Sequence, residues 1–197
     1  PTRRSSDLTL FAAALLLQGE GAVAGQATSS DIITDPDSYA VYAAVLSAGW
    51  PAPNVPVAMV ALDEKTKAHP ACPAWDSPLD AEWQPAVDGY ARENNRVRWL
   101  IADADLGVPY VLVNSPKYED LLMQAAGDVT KIWDDYWGRM SVSLSAAGFD
   151  STKTHALVTL QYSCQVGCGG GKHFLMEKTG GRWGQAAGVA ACQWTSP

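Results

Sequence analysis

A chain of 197 residues, 47% of them hydrophobic, suits one packed domain and is too apolar for wholesale disorder. Its formal net charge of −7, with no long basic run, argues against nucleic acid as a partner. No stretch reaches the roughly 20 apolar residues that a spanning helix needs, so no membrane span is expected.

Residues 1–8, PTRRSSDL, show no period and read as the translated end of a sequencing adapter. The alternative is a basic n-region carried by Arg3 and Arg4. Residues 8–17, LTLFAAALLL, form a short apolar h-region, and Ala22-Val23-Ala24 supplies an A-x-A cleavage site. That grammar predicts export to the periplasm or medium, with residues 9–24 a signal-peptide remnant and residues 25–197 a single α+β domain. The first cysteine is Cys72, so no lipid-anchoring motif is present in the given sequence.

Three helices are announced by a capping residue followed by proline. Asp35-Pro36 opens the first, with Tyr39, Tyr42, Val45 and Leu46 on its apolar face and Gly49 as its stop. Ser77-Pro78 opens the second, striped by Leu79, Trp83, Val87 and Tyr90. Ser115-Pro116 opens the third, with Tyr118, Leu121, Leu122 and Ala125 before Gly127. A fourth is expected from Asp128 to Gly138, using Val129, Ile132, Trp133 and Tyr136.

Residues 55–62 and 108–113 read as strands. Past Gly138 the period becomes two: Met140, Val142 and Leu144 alternate with Ser141, Ser143 and Ser145. Residues 156–162, 173–178 and 183–194 complete a C-terminal β-meander, with Gly180-Gly181 as a hairpin turn. The expected fold class is α+β, N-terminal helices packed on a mostly antiparallel sheet.

Four cysteines in an exported chain point to two disulfides. The preferred pairing is Cys164–Cys168 with Cys72–Cys192; counting outward from Gly180-Gly181 sets Cys168 opposite Gln193 and makes Cys168–Cys192 the runner-up. A zinc site from Cys164, Cys168, His173 and Cys192 is the sharper alternative, but the C-x3-C spacing and export disfavour it, so no metal or cofactor is expected. His155 and His173 begin successive strands and form a possible polar site on one sheet edge, whereas His69 reads as solvated in a Pro/Ala loop. Asp103 and Asp105 read as turn formers. Trp50 and Trp75, in proline-rich loops, are candidates for a ligand-facing aromatic platform, while Trp83, Trp133, Trp183 and Trp194 read as packing residues. No nucleophile elbow, zincin motif or P-loop occurs, and Gly169-Gly170-Gly171 reads as a flexible crossing between strands.

The C-terminal pattern is C-x3-C-G at Cys164, Cys168 and Gly169, then Glu177, Lys178, Gly181 and Trp183, then Trp194-Thr195-Ser196. Trp133, Tyr136, Leu144, Ser145, Gly148 and Phe149 precede it. This resembles exported bacterial proteins of unknown function, over roughly the last third of the chain. The resemblance implies a sheet module and no catalytic residues. The sequence thus favours an exported, non-catalytic binding or interaction module for a small molecule, a glycan or a protein. The competing class is a small hydrolase whose site converges only in three dimensions.

Overall fold

Alternating residues in the second half of the chain build the sheet on which the helices rest. A computed structural model describes residues 29–49, 59–69, 79–128, 131, 140–164, 169–187 and 192–196. Its helices are α1 (Pro36–Gly49), α2 (Gln84–Glu93) and α3 (Pro116–Gln124). Its strands are β1 (Val60–Asp63), β2 (Tyr110–Val113), β3 (Met140–Leu144), β4 (Gly148–Phe149), β5 (His155–Cys164), β6 (Gly169–Thr179), β7 (Arg182–Gln185) and β8 (Gln193–Ser196). They form one eight-stranded sheet in the order β2-β1-β3-β5-β6-β7, with β4 on β5 and β8 on β6. The fold is α+β, as the sequence predicts.

From β3 onward all pairing is antiparallel, but β1 pairs in parallel with both β2 and β3. The order of elements explains this. Chain containing α2 separates β1 from β2, and chain containing α2, β2 and α3 separates β1 from β3, which gives each parallel pair its long crossover.

The helices cover both faces. On one, Val41, Tyr42, Val45 and Leu46 of α1 pack with Leu62, Leu112, Val142, Val158, Phe174 and Met176. On the other, Trp83 and Tyr90 meet Leu157 and Leu175, and the α3 residues Tyr118, Leu121 and Leu122 pack on Ala61 and Val111. Leu157 and Val158, like Ala61 and Leu62, are sequence neighbours on opposite faces because strand side chains alternate.

Pro36 and Pro116 open α1 and α3 as read from the sequence, and Ser115 Oγ accepts a bond from Tyr118 N–H at 3.3 Å. The second helix differs. Ser77 and Pro78 lie outside the described residues, and Leu79 and Asp80 are not helical. A 3-10 turn (Ala81–Trp83) leads into α2, with Pro85 in its first turn, so the regular helix starts later than the stripe does. The stripe itself is right: Leu79, Trp83, Val87 and Tyr90 share one cluster. The expected fourth helix falls largely outside the described residues.

The return strand expected over residues 183–194 is two strands. Gln185 opposes Met176 and Gln193 opposes Lys172, so eight steps on one side face four on the other. The β7–β8 side is therefore four residues longer than the stretch of β6 it faces. This overturns the count that set Cys168 opposite Gln193. Nor do Gly169, Gly170 and Gly171 form a crossing; they are the first residues of β6, paired with both β5 and β8. Trp194 supplies the reason. A Cβ on Gly171 would overlap its indole, and one on Gly170 would meet its carbonyl oxygen and the Tyr162 hydroxyl. Gly180 and Gly181, at φ 58° and 78°, do form the expected hairpin turn.

Two glycines set how closely α2 lies on the sheet. A Cβ on Gly148 of β4 would overlap the Tyr90 backbone, and one on Gly89 would overlap Phe149. Gly148→Ala should therefore destabilise by about 3 kcal/mol or more, since only a backbone shift relieves the clash. Gly184→Ala, with open space around it, should change stability by less than about 1 kcal/mol. Urea denaturation of the two variants checks the contrast.

Candidate functional site

A cleft of about 480 Å³ opens where the start of α1, the end of α2 and the loops around β4 converge. Ile33, Thr34, Asp35 and Ser38 form one wall, Arg92, Glu93 and Arg98 another, and Ala146, Ala147, Phe149, Asp150 and Lys153 the rest.

Each wall is held by bonds that the local sequence dictates. Asp35 caps α1: its Oδ1 accepts from Asp37 N–H at 3.3 Å and its Oδ2 from the Ser38 hydroxyl at 3.4 Å. Tyr39 ties the segment before α1 to the neighbouring loop, donating to Ile33 O and accepting from Ile101 N–H, both at 2.8 Å. At the end of α2, Asn94 clamps Ala146 as a strand would. Its Nδ2 donates to Ala146 O and its Oδ1 accepts from Ala146 N–H, each at 2.9 Å.

The loop from Asp150 to Thr154 is organised by one carboxylate. Asp150 Oδ1 accepts from the backbone N–H of Thr154 at 2.8 Å and of His155 at 3.1 Å. Its Oδ2 accepts from the hydroxyls of Thr152 at 2.7 Å and Thr154 at 2.9 Å. Burial would raise the Asp150 pKa, but these hydrogen bonds together outweigh it and hold the carboxyl well below its ordinary range. Lys153 takes the left-handed conformation at φ 53°, which turns the loop.

Charges in the cleft are mostly paired. Arg98 Nη1 donates to Glu93 Oε2 at 2.7 Å and its Nε to Asp31 O at 3.3 Å. Lys153 Nζ donates to Asp35 Oδ1 at 2.8 Å, a bond that raises the lysine pKa. Next to it, Asp37 accepts from Lys178 Nζ at 2.6 Å and from Trp183 Nε1 at 3.1 Å. Those two bonds, from Lys178 first, lower its pKa.

A second polar cluster lies on the α2 face of the sheet. His173 is fully buried, and its Nδ1 lies 2.7 Å from Thr159 Oγ1. That hydroxyl lies 2.8 Å from the Tyr90 hydroxyl, which donates to His69 O at 2.9 Å and accepts from His69 N–H at 3.2 Å. The donor roles are consistent when His173 Nδ1–H donates to Thr159, Thr159 to Tyr90 and Tyr90 to His69 O. The His69 ring stacks on Trp194 with centroids 3.9 Å apart and meets His173 edge-on at 5.9 Å.

The two strand histidines do not meet. His155 opposes Glu177 and His173 opposes Thr159 on adjacent strands. Four residues of strand separate them, about 14 Å. They also sit on central strands rather than at an edge, because β7 and β8 lie beyond β6. His155 instead packs edge-on against Trp83 at 4.6 Å, with Asp150 Oδ2 at 3.5 Å from its Nδ1. His69, read as solvated, is half-buried beneath Trp194. The turn reading of Asp105 holds, since its Oδ1 accepts from Gly107 N–H at 2.9 Å.

Trp50, Trp75, Cys72 and Cys168 lie outside the described residues, as does the side chain of Cys164. No group of three or more metal-type ligands occurs among the described residues. Among the described residues, no helix is long and apolar enough to cross a membrane.

Of the cleft, the sequence reading reached Asp35, as a helix cap, and Phe149, as part of the C-terminal pattern. Arg92, Arg98 and Lys153 carried no pattern, though Asp150 with Thr152 and Thr154 is a side-chain-to-backbone turn that composition signals. No family model, curated protein or solved structure matches the chain.

The Asp150 loop has a pH signature. A carboxylate whose folded pKa lies below the unfolded value of about 3.9 stabilises fully above that pH and loses the contribution as pH falls through the folded value. Asp150→Asn should cost about 1.5–3 kcal/mol at neutral pH. The gap to wild type should narrow in acid below about pH 4. Thermal melts of both proteins from neutral to acid pH check this; a gap that widens in acid would contradict it.

Proposed function

We propose that the protein is an exported, non-catalytic binding module, that two disulfides staple it, and that the cleft between α1, α2 and the Asp150 loop holds a small polar molecule. The observation that carries this reading is the cleft itself. It offers a volume within the usual range for ligand sites, with charged groups of both signs fixed by short bonds before any ligand arrives. Its most strongly perturbed carboxyl, Asp150, is held ionised by its own loop and so is no proton donor near neutral pH.

The alternative, a small hydrolase, draws on the Thr159–His173 contact, which has nucleophile–base geometry at 2.7 Å. Both residues are 0% exposed, however, and a hydroxyl without access to solvent meets no substrate. Export rests on the h-region and cleavage site of the sequence, and on the resemblance of its C-terminal sheet to exported proteins. Trp50 and Trp75 remain proposed as a separate aromatic surface for a glycan or protein.

The register supports the pairing Cys72–Cys192. Gly169 opposes Ser196, four residues from Cys192, which places about 14 Å of strand between Gly169 and Cys192. That separation from Gly169 exceeds one Cα step of about 3.8 Å plus the roughly 7 Å a disulfide tolerates, which disfavours a Cys168–Cys192 bridge. Cys164 lies beyond Ser163, the partner of Gly169, and is farther still. Cys72 follows His69, whose ring stacks on Trp194, by three positions. Cys164–Cys168 is then the second bridge. Peptide mapping without reduction should recover these two linkages; a Cys168–Cys192 peptide would refute the pairing.

Titration of the isotopically labelled protein, followed by amide NMR, with small organic acids, amines, amino acids and oligosaccharides tests the site. One class should shift Thr34, Arg92, Ala147 and Phe149 together. Hydrolytic turnover abolished by His173→Ala in a folded protein would replace the binding reading with the enzyme.

A further inference from the structure

The cleft has more hydrogen-bond donors than its own acceptors use. Arg98 spends Nε on Asp31 O and Nη1 on Glu93, which leaves Nη2 without a protein partner among the described residues. Arg92, in the last turn of α2, lines the same cleft and forms no ion pair among the described residues. The carboxylates are otherwise engaged: Asp35 with Lys153, Glu93 with Arg98, and Asp150 with its own loop. Beside these donors lie the apolar groups Ile33, Ala146, Ala147 and Phe149.

We infer that the cleft selects a monocarboxylate with a compact apolar body, its carboxylate held by Arg92 together with the Nη2 edge of Arg98. This rests on the cleft being the ligand site. A guanidinium offers parallel N–H donors that match the two oxygens of a carboxylate, so Arg suits this ligand better than a point charge would. A guanidinium without an ion pair among the described residues seats one carboxylate, in a lining whose three acidic and three basic side chains otherwise offset one another. A dianion would leave a charge uncompensated inside a wall that already carries Asp35, Glu93 and Asp150, on a protein of net charge −7. A cation would face the unpaired Arg92 and would add donors where donors are already in excess. The apolar groups favour an aliphatic body over a sugar, whose hydroxyls would lose water there without partners.

The experiment compares 4-methylpentanoate with its amide, with 3-methylbutylamine and with inorganic phosphate, read by amide NMR shifts of Thr34, Arg92, Ala147 and Phe149. The carboxylate should saturate these shifts, more weakly at high salt, and the other three probes should bind at least about ten-fold more weakly. Arg92→Gln should weaken the carboxylate by about ten-fold or more, with Arg92→Lys intermediate. Arg92 is solvent-exposed, so the fold should survive both changes. Amide, amine or phosphate binding at the cleft as tightly as the carboxylate would overturn the ligand class and leave the binding reading standing. Shifts indifferent to Arg92→Gln would overturn it in the same way. No cleft shift with any of these probes, nor with the broader panel, would overturn the ligand class and the cleft as binding site together.

Discussion

Strands β5 and β6 pair over nine residues, from His155 opposite Glu177 to Ser163 opposite Gly169, and the rest of the structure is placed relative to that ladder. Its two faces differ. Ala156, Val158, Phe174 and Met176 point to α1, whereas Leu157 and Leu175 point to α2. A one-residue slip would exchange the two sets, moving Thr159 and His173 to the α1 side and breaking their link to Tyr90. Burial on both sides therefore specifies the register, and the register fixes where β4, the Asp150 loop and the cleft lie.

Local signals in the sequence carried a good part of this. Pro36 and Pro116, Ser115 as a cap, the alternation through residues 140–144 and the Gly180-Gly181 turn each depend on a few consecutive residues, and the structure places them as read. Readings failed where the cause lies far along the chain. The Gly169–171 run resembles a loop by composition, yet its glycines answer to Trp194, whose register on β6 is shifted by four residues from that of β7. His69 looks solvated among Pro and Ala until Tyr90 and Trp194 enclose it. Parallel pairing of β1 is likewise invisible to periodicity, because short apolar strands read alike in either orientation.

The cleft was illegible for the same reason in sharper form. Lys153 meets Asp35 across 118 positions, and Lys178 meets Asp37 across 141. Opposite charges at such separations have no pattern to detect, and a sequence can show only that Asp35 caps a helix. The Asp150 turn was detectable as a turn, but nothing local says that it faces the end of α2.

The two polar systems differ in what they hold and in how far they are enclosed. On the α1 face, Asp37 accepts from Lys178 and Trp183 and so fixes the first turn of α1 to the β6–β7 hairpin. The segment carrying Asp35 and Ser38 is thereby fixed, which would lower the ordering cost of the binding proposed for the cleft. On the α2 face, a chain of bonds runs from buried His173 through Thr159 and Tyr90 to half-buried His69, so breaking the His173–Thr159 or Thr159–Tyr90 link leaves a desolvated polar group behind. Its position between α2, the His69 segment and β8 suits it to hold three parts of the chain that no continuous strand connects. Buried histidine and threonine are the residues that would ordinarily invite a catalytic reading, but here both are fully enclosed. Arg92 and Arg98 line the cleft with the start of α1 and the Asp150 loop, and Arg92 is exposed.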